Sequence, residues 1–194
     1  VAGTTTNVEL RASDILAATT ATGWTQGDGA LTLAAIDPTE TMAFGAGGGT
    51  FTVGVPILDS ITNFAQVNLG EGGIGDVTVG GGFNITTGDV TIDGGQTLIA
   101  GDLTASAGDL TVNDAVTVTT GGAGTANADG TVTFGGAISE QAGGSELIVV
   151  GGAGVVATGG AIGDSVDQFD IDFTATTGNV DVSGVAITTT GGAA

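Results

Sequence analysis

The sequence predicts an all-β protein, a parallel β-solenoid with rungs of about 20 residues. Three observations predict it. Glycine recurs every six to seven residues through the middle of the chain, at Gly75, Gly81, Gly88, Gly94, Gly101, Gly108 and Gly121, with Asp114 in the one missing place. Between these beats stand pairs of apolar residues one apart, mostly separated by threonine: Val77/Val79, Phe83/Ile85, Val90/Ile92, Leu103/Ala105, Leu110/Val112 and Val116/Val118. Such period-two alternation marks a strand with one face buried. Finally, Gly49 to Phe64 (GTFTVGVPILDSITNF) matches Gly154 to Phe169 (GVVATGGAIGDSVDQF) at an offset of 105 residues, and a dense match at fixed offset is an internal repeat.

In chain order, Val8 and Leu10 alternate with Asn7, Glu9 and Arg11 as a short strand. Ser13 and Asp14 could cap one helical turn over Ile15–Ala18, but the threonines that follow oppose a longer helix. Gly23 and Gly27-Asp28-Gly29 signal turns. Strands are expected over Ala30–Ile36, Met42–Phe44 and Phe51–Val55, the last interrupted by Pro56. Alternation resumes over Ile61–Leu69 and is broken by Gly70-Glu71-Gly72-Gly73.

The second half replays the first. Asp129–Phe134 answers Asp28–Leu33, Gly178–Val182 answers Gly75–Val79, Ile187–Gly191 answers Ile85–Gly88, and Asn7–Leu10 has a partner in Asp109–Val112. The chain therefore reads as two units of about a hundred residues, 1–101 and 102–194, in one continuous solenoid belonging to a longer array or filament. Each unit would make about five rungs stacked at about 4.8 Å. The alternative is a pair of tandem β-sandwich domains. It accounts for the repeat length but not for the dense glycine beat, because sandwich strands turn every 8–12 residues.

Composition narrows the role. Of 194 residues 39 are Gly and only 2 are Pro, aromatics are 4% and hydrophobics 41%. The core is therefore thin and built from small branched side chains. The single cation, Arg11, faces 21 acids for a formal charge of −20, so nucleic acid and anionic lipid surfaces repel the chain. High ionic strength or divalent cations would screen its self-repulsion. No run of about 18 apolar residues is present, so no transmembrane segment is expected. A start at Val1 and a bare Gly-Gly-Ala-Ala end suggest a processed or excised chain.

The stretches DGTVTFGGAIS (129–139), GGAGVVATGGAIGDSVDQFDIDF (151–173) and ATTGNVDVSGVAITTTGG (175–192) resemble the β-strand repeats of large secreted bacterial proteins of the filamentous haemagglutinin type. The resemblance covers most of residues 28–191. It implies a right-handed parallel β-helix, exported to the cell surface and used for adhesion or as matrix fibre. The secretion domain of that family is not visible in the sequence.

No catalytic site is expected. Without His, Cys, Lys or Tyr the usual nucleophile–base pairs cannot be assembled. A carboxylate pair remains chemically open, as in glycosidases, but the acids are scattered at corners. Calcium is the more serious candidate. Gly72-Gly73-Ile74-Gly75-Asp76-Val77 approximates the G-G-x-G-x-D-x-U-x motif, with the Asp one place early; the bland reading is a glycine corner. Asp164, Asp167, Asp170 and Asp172 form a second acidic cluster, whose bland reading is a solvated face. Threonine runs at Thr4-Thr5-Thr6, Thr117-Val118-Thr119-Thr120 and Thr188-Thr189-Thr190 could present hydroxyl rows to ice, but they do not recur once per rung. The GGxG runs are not phosphate loops, since no Lys follows them.

The expected function is that of an extracellular or cell-surface structural protein, self-associating or stacked on neighbouring repeats into a fibre, matrix or surface layer. The alternatives are an adhesin recognising glycan or another surface and, more remotely, a β-helix carbohydrate enzyme.

Overall fold

A computed structural model describes residues 7–12, 24–25, 28–72, 75–119, 123–141, 145–163 and 170–188. The chain is a parallel β-solenoid of about six turns with almost no helix. Every strand pair described is parallel. That excludes the tandem sandwich, whose sheets are antiparallel.

Three sheets form the walls. The first face carries eight strands: Val8–Ala12, Ala30–Ala35, Gln66–Gly70, Asp89–Asp93, Leu110–Val112, Thr131–Phe134, Gly154–Ala157 and Val180–Asp181. The second carries Phe51–Gly54, Met42–Gly45, Val77–Gly80, Thr97–Ile99, Val116–Val118 and Ile138–Glu140, continued by single bridges at Ile162 and Ile187. The third carries Phe83–Ile85, Asp102–Ala105, Ala123–Ala128, Glu146–Gly151 and Asp170–Ala175. A separate pair joins Trp24–Thr25 to Ile61–Thr62.

The apolar pairs point inward. Val77, Val79, Ile85, Val90, Ile92, Leu103, Ala105, Leu110, Val112, Val116 and Val118 are fully buried and Phe83 nearly so. They stack in columns along the axis. On the first face Val8, Leu31, Val67, Val90, Leu110, Val132, Val155 and Val180 lie in one register. Each contributes roughly 1.5–3 kcal/mol of transfer free energy when fully buried, and the ladder hydrogen bonds fix the register. The sequence reading passed over the strand Thr97–Ile99, because its first inward residue is Thr97 while Leu98 points outward.

Rung length follows from that column. From Val67 the successive steps are 23 residues to Val90, 20 to Leu110, 22 to Val132, 23 to Val155 and 25 to Val180. The step from Leu31 to Val67 is 36 residues. The surplus is an insertion that travels back along the axis. After Met42–Gly45 the loop 46–50 turns, and Phe51–Gly54 pairs with Met42–Gly45 on the side away from Val77–Gly80. A helical turn, Val55–Leu58, follows with Pro56 in its first turn. Proline is tolerated there because the first helical N–H groups have no intrahelical partner. The strand expected over Phe51–Val55 therefore ends at Gly54.

The insertion also changes the meaning of the hundred-residue repeat. Leu31 and Val132 are 101 residues apart and occupy the same column, four ladder steps apart rather than the five expected. The matched stretches fall on different faces: Phe51, within the insertion, is inward on the second face, whereas Val156 is outward on the first. The boundary between residues 101 and 102 falls at a corner inside one rung, and the ladders run through it.

Corners are tight where rungs stack. Gly88 has φ +54°, and a Cβ there would stand 2.3 Å from the Ala65 carbonyl oxygen. The same corner uses side chains as axial struts. Asn7 Oδ1 accepts from the Ala30 N–H (3.1 Å), Asp89 Oδ1 from the Asp109 N–H (3.0 Å) and Asp109 Oδ1 from the Thr131 N–H (2.7 Å). Each asparagine or aspartate thus satisfies a backbone donor one rung on. The buried Thr87 clasps the insertion, its hydroxyl accepting from the Phe64 N–H (2.9 Å) and donating to the Phe64 carbonyl (2.7 Å).

Candidate functional site

The proposed calcium positions separate in the structure. In Gly72–Val77, residues 73 and 74 lie outside the described residues. Asp76 stands just before Val77–Gly80, and its backbone carbonyl accepts from the Met42 N–H (2.8 Å). A Cβ on Gly75 would stand 2.0 Å from the Glu40 carbonyl oxygen, so close backbone approach already accounts for that glycine. Asp164 and Asp167 lie outside the described residues; Asp170 and Asp172 are exposed on the last third-face strand, in register with Glu146 and Ile148. Among the described residues no group of three or more carboxylates is placed to hold a metal ion.

The threonine rows also rearrange. Thr4-Thr5-Thr6, Thr120, Thr189 and Thr190 lie outside the described residues. Thr117 belongs to an outward row on the second face that runs Thr78, Leu98, Thr117, Ser139. A hydroxyl row with nearly one threonine per rung does exist, on the first face, where Thr32, Asn68, Thr91, Thr111 and Thr133 align. The sequence reading missed it because its members lie 20 to 36 residues apart, each disguised as the spacer of its own strand.

The Thr32, Asn68 and Thr91 part of this row floors a groove of about 310 Å³ walled by Glu9, Glu71 and Asp93. Asn68 Nδ2 donates to Thr32 Oγ1 (3.1 Å) and Gln66 Nε2 to Thr91 Oγ1 (3.3 Å). Arg11 forms ion pairs with both Glu9 and Glu71 and donates to the Ala35 carbonyl (3.3 Å). A shallower depression of about 290 Å³ opens on the third face between Asp59, Asn84 and Asp102.

Three aspartates among the described residues have shifted carboxyls. Asp114 is half-sheltered at a corner and accepts the Gly94 N–H. Burial raises its carboxyl above the usual range; the Gly94 hydrogen bond lowers it in part and the charge of Asp93 raises it further. Asp37 is lowered by the Thr39 N–H and then by the Thr39 hydroxyl, and Asp181 by the hydroxyl and N–H of Ser183.

Among the described residues two buried side-chain oxygens lack partners, Thr97 Oγ1 and Glu140 Oε1. Glu140 follows Val118 in an inward column and is 4% exposed. Its other oxygen accepts from the Ser145 N–H (3.1 Å).

The most distinctive surface is the C-terminal end of the solenoid. Val180 is 41% exposed and Ile187 57%, though both continue inward columns. Ile171, Phe173, Val182 and Val185 are only partly buried against the core. Among the described residues no strand lies beyond Val180–Asp181 or Asp170–Ala175, and each pairs with a neighbour on one side only. At the opposite end of the first face Val8–Ala12 is likewise paired on one side only among the described residues, with Val8, Leu10 and Ala12 partly buried. Unpaired edges are templates for adding a strand. No helix among the described residues is long and apolar enough to cross a membrane. No family model, curated protein or solved structure matches the chain.

Proposed function

We propose that the chain is an extracellular structural solenoid that builds a fibre, matrix or surface layer by stacking rung on rung. The observation that carries this reading is the C-terminal end, where Val180 and Ile187 stand exposed at the ends of otherwise buried columns beside strands paired on one side only among the described residues. The resemblance of residues 28–191 to repeats of the filamentous haemagglutinin type agrees with it. So does a composition without His, Cys or Tyr, which leaves little catalytic chemistry. Stiffness would come from continuous parallel ladders, and solubility from the charge of −20.

The test is electron microscopy and light scattering of the purified chain across protein concentration and salt. Filaments are expected, with an axial period of about 38 Å for eight first-face strands at about 4.8 Å each. Val180→Asp should abolish them and leave the monomer folded, as judged by circular dichroism. Dispersed monomers under every condition would remove this reading.

A second reading, an adhesin that binds glycan, is favoured by the first-face groove with its hydroxyl and amide floor. It predicts glycan binding by the monomer that Asn68→Ala weakens without affecting filament formation.

A further inference from the structure

We infer that the contact between copies is head-to-tail and runs through the first face: strand Val8–Ala12 of one copy adds to the outer edge of Val180–Asp181 of another, with Asn7 opposite Asn179. This rests on the reading that copies stack, and specifies the partner surface.

Four observations carry it. The two terminal strands of the face share one pattern, Asn7-Val8-Glu9-Leu10 and Asn179-Val180-Asp181-Val182. Each therefore offers the other the side chains that its own neighbours accept. The inward column contains only Val and Leu from Val8 to Val180, so Val8 of a second copy extends it without a change of volume. All pairs in the face are parallel, and only head-to-tail stacking continues a parallel ladder; a two-fold axis would pair the terminal edges antiparallel.

Charge supplies the fourth. Arg11, the one cation of the chain, lies on the N-terminal strand of the face, whereas Asp170, Asp172 and Asp181 mark the C-terminal strands. In the proposed register Asp181 stands beside Glu9 of the second copy, and Arg11, which already pairs with Glu9 in its own strand, is the cation that offsets this pair of acids. Tail-to-tail stacking would set aspartates against aspartates, and head-to-head stacking would leave them without a counter-charge.

The chain has no cysteine, which makes the polarity directly readable. Facing residues of neighbouring strands lie about 4.8 Å apart, within disulfide reach. Under mild oxidation the double variant Asn7→Cys/Asn179→Cys should give a ladder of covalent multimers on a non-reducing denaturing gel. Each single variant should stay monomeric there, and a mixture of the two singles should stop at dimers. At low salt Arg11→Gln should reduce the multimer yield several-fold. A covalent dimer from Asn179→Cys alone would establish tail-to-tail stacking and overturn the inference, as would one from Asn7→Cys alone for head-to-head. Filaments of the unmodified chain without any covalent ladder in the double variant would overturn this contact while leaving the stacking reading intact. Absence of assembly by light scattering would overturn the stacking reading and this contact with it.

Discussion

The rung at the N-terminal end of the second face and the last rung at the C-terminal end are built from the same kinds of residue and have opposite fates. Phe51 and Val53 are fully buried, although no strand lies beyond them among the described residues. The turn Val55–Leu58 and the following Ile61 and Phe64 fold beside them, and Ile57, Leu58 and Ile61 are themselves buried. Phe44 meets Phe51 edge-to-face at a centroid distance of 6.1 Å. At the other end Phe173 is half-buried, Val180 and Ile187 are exposed, and the flanking side chains are aspartates. A solenoid end is thus closed by extra chain that doubles back, not by polar residues in the rung itself. Where the described residues include no such chain, the apolar columns reach the surface.

The largest expected effect tests this contrast directly. Phe51→Ala should cost about 3–5 kcal/mol of unfolding free energy, as a large-to-small change in a closed core does. Val180→Ala should cost less than about 1 kcal/mol in the monomer, because a half-exposed side chain has little burial to lose. Chemical denaturation followed by circular dichroism measures both, and equal costs would remove the distinction between the ends.

A smaller effect sharpens it at the corners. Gly88→Ala should destabilise by about 1–3 kcal/mol, since its positive φ is unfavourable for alanine and the new Cβ meets the Ala65 carbonyl. Gly48→Ala, in the loop that begins the insertion, meets nothing within 4 Å and should be close to neutral. Within the regular stack, Thr97→Val should stabilise by about 1 kcal/mol. The hydroxyl it removes is buried and unpartnered, and its column neighbours are Val77 and Val116.

The smallest effect depends on pH. The carboxyl of Asp114 is raised in the fold, mainly by burial, so the folded state binds its proton more readily than the unfolded chain. Its contribution to stability is complete below the ordinary carboxylate range and is lost as pH rises through the raised value. Asp114→Asn keeps an oxygen for the Gly94 N–H and removes the charge near Asp93. It should raise the unfolding free energy slightly at pH 7, by less than about 1 kcal/mol after solvent screening, and give no gain at pH 3, as denaturant titration at the two pH values measures.

Most of the fold was legible because one rule, an apolar pair inward with a small corner beside it, governs every face. That rule placed Val77/Val79 through Val116/Val118 correctly. The same generality hid the rest. A unit that suits any face cannot say which face it occupies, so the match of Gly49–Phe64 to Gly154–Phe169 survives in sequence while the two stretches sit on different walls. The backward path of Phe51–Gly54 was illegible because it depends on a loop whose glycines impose no single route. Strand Thr97–Ile99 was missed because a buried threonine breaks the apolar pattern. The hydroxyl row of Thr32, Thr91, Thr111 and Thr133 required the register itself, which the 36-residue step across the insertion conceals. The exposed end could not be read from residue types, because Val180 and Ile187 are as apolar as the buried members of their columns.

Arg11 has one more consequence, outside assembly. Proteases of tryptic specificity cut after lysine or arginine, and this chain offers them a single bond, between Arg11 and Ala12. That bond lies in a strand whose register runs from Val8↔Leu31 to Ala12↔Ala35, with the guanidinium held by Glu9 and Glu71. Cleavage would require the strand to leave the ladder. A surface material made of such subunits would outlast tryptic digestion with no disulfide to protect it, and its durability would reside in the near absence of the residues such proteases recognise.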